Sequence, residues 1–398
     1  MLASPQKGTA LAGSVAVSEP RPSGAGSAPE VAGARLLDDR QPPTRAATHH
    51  VAAKGKQPRV QWVDIAKGMT IVLVVLLHAV NMLVTKDLAP DFWRTINGVL
   101  QPIRMPLFFV ASGLFAQGMI AMTWPKMLRS RVAHLFYLYA LWLVVFFAVH
   151  NVLPAEVRHD GYATLANIVS GLYIPNSALW FIYGLAVFAV AAKLITKLPV
   201  AVQLGVAVAL NIYSQYFPVV SWSWNNLAEY FVYFLLGLHL RTVIIRISNR
   251  NTLLWISASV ALYAGIYYLL KEALPVGVPG LKVVLTTAGL VAGVLVASRL
   301  AGTWFGGLLN TVGKNTLPVY LMLDIVIAIL VYGLIKVPIV AELPALQLAT
   351  PALVVIATIM LALYLHKALV AMRLTWLFEL PPKLRGTAPK GPALAKSA

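Results

Sequence analysis

Apolar residues along this chain come in long runs, not in the short alternating stripes of a water-soluble core. A run of about 20 apolar residues bounded by proline, glycine and charge is long enough to cross a hydrocarbon layer as a helix. Ten such runs can be marked: 63–84, 99–121, 132–152, 178–196, 198–214, 227–247, 252–271, 281–300, 311–336 and 350–372, the fifth being the shortest. The pattern predicts an all-α fold, a polytopic transmembrane helix bundle of about ten spans over residues 62–372. An even number of spans puts both termini on one side. No convincing internal repeat is visible, which disfavours a transporter built from inverted halves.

The polar positions inside these runs are few, and the first run carries the most telling. It opens Trp62-Val63-Asp64-Ile65-Ala66-Lys67-Gly68 and then places His78 deep in hydrocarbon sequence. An ionisable group in a membrane interior costs on the order of 2–3 kcal/mol or more, so it marks function more often than packing. Lys67 and His78 are eleven residues apart, which at about 100° per residue returns to within roughly 20° of one face. Asp64 lies about 40° off that line, so all three side chains can look into one interior.

Composition agrees with the pattern. The 398 residues are 59% hydrophobic and 12% charged, about half the charge of a soluble domain. There is no cysteine, which excludes disulfides, thiol nucleophiles and a cysteine acyl carrier. A formal charge of +18 invites a nucleic-acid partner, but the excess sits in the tails and short loops, where the positive-inside rule would place it, so no nucleic acid is expected. Residues 1–61 hold no Phe, Trp or Tyr and are rich in Ala, Pro, Ser and Gly, which predicts a disordered tail. That tail lacks the compact apolar region of a secretory signal and is expected to be retained. A second basic tail is expected over 373–398.

Basic residues set the orientation. Lys126, Arg129, Arg131, Lys193, Lys197, Arg241, Arg246, Arg250 and Arg299 fall in one set of loops, while the opposite loops are poorer. With both tails basic, the two termini are expected in the cytoplasm of a bacterial-type cell, the chain lying multi-pass in its inner (plasma) membrane. His78 then lies in the outer half of the bundle, with Asp64 and Lys67 at its cytoplasmic mouth. Arg104, Ser177, Trp180 and Glu229 gather at the outer side, and Ser112 lies further along the second run.

Each has a plainer reading. His78 can hydrogen-bond a neighbouring helix; Arg104 can snorkel to the interface; Ser112-Gly113 fits close helix packing. Trp180 can anchor at the interface, Glu229 can simply neutralise Arg104, and Asp64 and Lys67 can pair with each other. His49, His50 and His159 read as tail or loop residues, and His134, His239 and His366 as structural.

Together these groups suit general-base chemistry. A neutral imidazole takes a proton from an alcohol near neutral pH, and a guanidinium stabilises an oxyanion in a water-poor site. No GxSxG elbow, Walker loop or HExxH motif is present, so neither a covalent hydrolase nor a metal site is supported. Direct attack of an activated hydroxyl on an acyl donor is the simplest chemistry left.

At these residues the chain resembles the acyltransferase-3 family of integral-membrane acyltransferases, especially its branch similar to fucose 4-O-acetylases. Asp64, Lys67, Gly68 and His78 match that family's D-x-x-(R/K)-G opening with a histidine eleven residues beyond the basic residue. Arg104, Pro106, Leu107, Phe108, Phe109, Ser112 and Gly113 match its R-x-P-(L/F)-F-F-x-x-S-G helix. The Ser177–Phe181 string, the Tyr230–Gly237 helix and the Val312–Leu321 element resemble later signatures. Where many members carry a histidine shortly after the late Tyr-Leu, this chain reads Leu321-Met322-Leu323-Asp324. Asp324 takes either a polar role there or a helix–helix hydrogen bond.

The resemblance implies transfer of an acyl group, most often acetyl from acetyl-CoA or another acyl-CoA, to a hydroxyl of an extracytoplasmic glycan or lipid. Donor phosphates are expected near Lys67, Arg129 and Arg131, with His78 and Arg104 facing the acceptor. Eleven helical residues span about 16 Å, comparable to an extended pantetheine arm. Two other classes stay open: a proton-coupled transporter or flippase of an envelope glycolipid, and a scaffold that engages envelope-assembly proteins through its long tail.

Overall fold

The computed structural model describes residues 61–381 except 163, 176, 218 and 274–277. The tail expected over 1–61 lies outside the described residues apart from Gln61, and the tail expected from 373 is described to Pro381.

Long apolar runs become helices because lipid offers a backbone no other hydrogen-bond partner. In chain order the main helices are α1 (Gln61–Thr85), α2 (Phe92–Gly113), α3 (Trp124–Val152), α4 (Leu165–Gly171), α5 (Trp180–Leu194), α6 (Val200–Tyr216) and α7 (Trp222–His239). They continue with α8 (Arg241–Ser248), α9 (Leu253–Glu272), α10 (Leu281–Leu300), α11 (Trp304–Lys314), α12 (Thr316–Ile335) and α13 (Pro344–Ala371). Among the described residues helix is the only regular structure.

Each of the ten expected runs overlaps one of these helices, but the expected number of spans is not reached. Among the described residues six helices, α1, α3, α9, α10, α12 and α13, are long and apolar enough to cross a membrane. Counting α7 with α8 as one span bent by 82° gives seven. The shortfall has local causes. Helices α5 and α6 are only 15 and 17 residues long. The first half of α2 carries Arg94, Asn97, Gln101 and Arg104. The run 311–336 breaks at Asn315 into α11 and α12, of which α12 is still one of the six.

Helix α1 is the hub, packed against α2, α10, α11, α12 and α13. Two glycine contacts bring backbones together around it. A Cβ on Gly68 would lie 2.0 Å from the Leu309 carbonyl oxygen, and one on Gly313 would lie 1.7 Å from that of Asp64. Likewise a Cβ on Gly113 would meet the Phe234 oxygen at 2.1 Å, and one on Gly237 the Val110 oxygen at 2.2 Å. Small residues at helix interfaces permit this approach. Gly313→Ala is therefore expected to destabilise the bundle by about 1–3 kcal/mol or more, since overpacking against backbone has no flexible neighbour to relieve it. A lowered melting temperature in detergent is the readout, and an unchanged one would show that α1 and α11 can separate freely.

Candidate active site

A cavity of about 420 Å³ opens among α1, α2, α7, α12 and the start of α5. From α1 come Val74, Leu77, His78 and Asn81, at positions i, i+3, i+4 and i+7 and so on one face. From α2 come Arg94, Asn97, Gln101 and Arg104, again one stripe. Trp180, Trp222, Asn226, Tyr230 and Tyr320 complete the wall. His78 and Arg104, carried by separate helices, thus face one space. His78 is partly buried and makes no hydrogen bond to another described residue.

Arg104 does not snorkel: it is 2% exposed. Its Nη2 donates to the Asn97 carbonyl oxygen at 3.2 Å, while Nε and Nη1 have no hydrogen-bond partner among the described residues. The side-chain oxygen and nitrogen of buried Asn97 are likewise unpartnered. Glu229, which the sequence offers as the counter-ion of Arg104, pairs instead with Lys282 at 2.9 Å. The correction has a simple geometric source. Glu229 adjoins Tyr230 in sequence, but only Tyr230 lines the cavity, because neighbours on a helix point about 100° apart. A buried guanidinium with no counter-ion among the described residues is unfavourable, so it will stabilise negative charge that develops beside it.

Trp180 is a cavity wall, not an interfacial anchor. It is 8% exposed and packs against Trp222, Phe109 and Tyr230 with ring centroids 5.9–6.0 Å apart. The turn before it is held by side chains. The Ser177 Oγ accepts from the Leu179 N–H at 3.2 Å, and the Tyr162 hydroxyl accepts from the Ala178 N–H at 3.0 Å. The Tyr320 hydroxyl donates to the Ala178 carbonyl and accepts from the Phe181 N–H. Ser177 and Tyr320 therefore position Trp180.

Asp324 is hydrogen-bonded to a residue that sequence reasoning passed over. His150 Nε2 lies 3.0 Å from its Oδ2, with both side chains buried. The N–H of His159 donates to His150 Nδ1 at 3.1 Å, so the loop residue His159 contributes its backbone. His150 ends the apolar helix α3, with no polar neighbour at helical spacing except Asn151 beside it, and its partner is 174 positions away. The signal available was burial cost alone: an imidazole at the end of an apolar run needs a partner. His49 and His50 lie outside the described residues, and the three histidines read as structural each have a neighbour in the fold. His239 bonds Gln203 at 2.8 Å, His134 accepts from the Leu380 N–H, and His366 packs on Phe378. Among the described residues no group of three or more His, Asp and Glu side chains is arranged to hold a metal ion.

At the other end of α1, Lys67 sits 3.6 Å from Asp64 Oδ1 and 4.7 Å from the ring centre of Phe115. Phe115 and Arg131 line a second cavity of about 410 Å³, together with Ser112 and Phe234. Ser112 Oγ donates to the Phe108 carbonyl at 2.9 Å. Arg129 and Arg131 ride on a π turn, Leu128–Val132, within α3, a rare geometry often found at functional sites. Arg131 also lines a cavity of about 540 Å³ with His134, Lys314 and His366; Arg129 lines neither. Between the first two cavities α2 places Phe109, fully buried and packed on Trp180, Phe181, Phe188 and Tyr230.

The arrangement offers a proton acceptor and a fixed positive charge on one cavity, with amide groups to orient a ligand between them. Comparison with known proteins is consistent with a membrane enzyme. The chain is 24% identical over 283 residues to "Inner membrane protein YcfT" of Escherichia coli (strain K12), an alignment covering 65% of this chain and 77% of the relative. No solved structure matches. The acyltransferase-3 family model, described as an acyltransferase domain, matches residues 60–366, which include every helix that lines the His78 cavity. On that match the chain belongs to the acyltransferase-3 family, as a multi-pass membrane protein of apolar helices.

Proposed function

We propose that this chain is a membrane O-acyltransferase moving an acyl group, acetyl first among them, from an acyl-CoA to a hydroxyl of an extracytoplasmic glycan or lipid. The observation that carries this reading is the shared cavity of His78 and Arg104. In the step envisaged, His78 removes the proton of the acceptor hydroxyl as its oxygen attacks the thioester carbonyl. Arg104 stabilises the negative charge on the carbonyl oxygen. The C–S bond then breaks, the thiolate takes the proton back from the imidazolium, and an ester and a free thiol result.

The basic loops support a cytoplasmic position for both termini and for the Lys67 end of α1. The Escherichia coli relative, named as an inner membrane protein, supports an inner-membrane location. Donor phosphates would then dock near Lys67, Arg129 and Arg131, the pantetheine arm passing Phe109 toward His78. Asn81, Asn97, Gln101 and Asn226 line the acceptor space and would hydrogen-bond its hydroxyls.

The test is transfer of label from radiolabelled acetyl-CoA to envelope lipids and glycans by the purified protein in liposomes. Label in an acceptor supports the reading. Binding or movement of an acceptor with no label transferred would replace it with a carrier. The Lys67→Ala, Arg131→Ala double variant is expected to raise the KM for acetyl-CoA about tenfold or more, through loss of charge-assisted phosphate contacts, with kcat little changed. An unchanged KM would remove those residues from donor binding.

A further inference from the structure

A further cavity, of about 370 Å³, shares the Trp222 wall with the His78 cavity. We propose that it is a second acceptor subsite, holding the sugar unit next to the one presented to His78. The acceptor is then a glycan chain of two or more units, not the lone hydroxyl of a lipid. The proposal rests on the reading of the His78 cavity as the acceptor site of an O-acyltransferase.

Helix geometry places one aromatic ridge between the two spaces. Trp222 is the first residue of α7, and the Ser221 Oγ holds that turn by accepting the Trp224 N–H at 3.4 Å. At about 100° per residue, Asn225 lies about 60° to one side of Trp222 and Asn226 about 40° to the other. Accordingly Asn226 lines the His78 cavity and Asn225 lines the second one, while Trp222 lines both. The indole packs edge-on against Trp180 at 5.9 Å, yet Trp222 stays 64% exposed.

The chemistry of the second wall selects the ligand. Besides Trp222 it presents Ser214, Gln215, Tyr216, Ser221 and Asn225, and no Asp, Glu, Lys, Arg or His among the described residues. The Asn225 Oδ1 accepts the Val219 N–H at 3.4 Å, and its Nδ2 makes no hydrogen bond to another described residue. Gln215 donates through Nε2 to the Asn211 Oδ1 at 2.7 Å, which leaves its own carbonyl oxygen to accept. Uncharged groups that donate and accept match the hydroxyls of a neutral sugar, whose C–H face lies on an indole. An alkyl chain in the same place would leave those groups unpartnered, which is costly.

The test is acceptor length. Envelope glycan is cut by mild acid and separated into fractions of one, two and four units. Each fraction is offered to the protein in liposomes with radiolabelled acetyl-CoA, and its binding without donor is measured in parallel by equilibrium dialysis. The expected KM is at least tenfold lower for two units than for one, with four units within threefold of two. Trp222→Ala should shrink the tenfold preference to twofold or less, and Asn225→Ala should reduce it at least threefold. Trp222→Phe, which keeps an aromatic face, should retain most of it.

Equal KM values for one and two units in the wild type would overturn the proposal, as would label confined to sugar-free lipid. So would variants that raise both KM values by the same factor, the result expected if Trp222 only walls the His78 cavity or anchors the chain at the interface. If Trp222→Ala does not fold, Asn225→Ala decides alone. Should no fraction take label, the transferase reading fails and dialysis decides the subsite separately. Binding that strengthens with length and loses that gain in Asn225→Ala keeps the subsite; binding indifferent to length removes it.

Discussion

Replacing His78 with alanine is expected to lower acyl transfer by about 10²–10⁴-fold, the usual contribution of a general base. The fold should survive. The ring is only partly buried, lines a cavity and makes no hydrogen bond to another described residue. Alanine is the best helix former, and removing a polar group from apolar sequence eases its place in lipid. Donor affinity should also persist, because Lys67 lies about 16 Å away along α1. The informative measurement therefore pairs label transfer with acetyl-CoA binding and a melting curve on the same preparation. Full transfer by His78→Ala would end its assignment as base. A collapsed melting temperature would show instead that the histidine is part of the packing.

Arg104→Met is expected to pull activity and stability in opposite directions. Loss of the guanidinium should cost about 10²–10³ in kcat, the range for removing one preorganised oxyanion-stabilising donor. Stability should hold or rise. Among the described residues the hydrogen bond lost is the 3.2 Å contact from Nη2 to the Asn97 carbonyl, while a buried charge with no carboxylate partner among them disappears. Well-packed apolar replacements of buried charge are often neutral or stabilising by about 1–4 kcal/mol. Arg104→Lys keeps the charge but not the planar fork, so it should fall between the two. An active Arg104→Met, or one that unfolds, would reassign Arg104 from the chemistry to the architecture. Functional residues that cost stability are a common trade, and this pair of variants reads it directly.

Much of this could be read in the sequence because lipid makes its signals coarse. Every apolar run overlaps a helix, and the two motifs pointed to His78 and Arg104 on one space. The runs could not show where a helix breaks. Asn315 looks no different from a polar residue inside a span, and the bend between His239 and Arg241 carries no proline or glycine. Pairings across the bundle were equally hidden. Glu229 meets Lys282 and Asp324 meets His150 through tertiary packing, at sequence separations that periodicity cannot reach. The amides were legible in principle: Asn81 follows His78 by three positions, and Gln101 and Asn97 precede Arg104 by three and seven. Extending each stripe by helical spacing would have found them.

The glycine contacts have a mechanical consequence for the site. Gly68 and Gly313 fasten α1 to α11, and Gly113 and Gly237 fasten α2 to α7, backbone against backbone. His78 rides on the first couple; Arg104 and the Tyr230 wall ride on the second. The gap between imidazole and guanidinium is thus measured across one seam, where α1 lies on α2. Like the jaws of a caliper, two stiff arms turn a small slip at that seam into an equal change at the gap, so the residues that set the reacting distance need not touch anything that reacts.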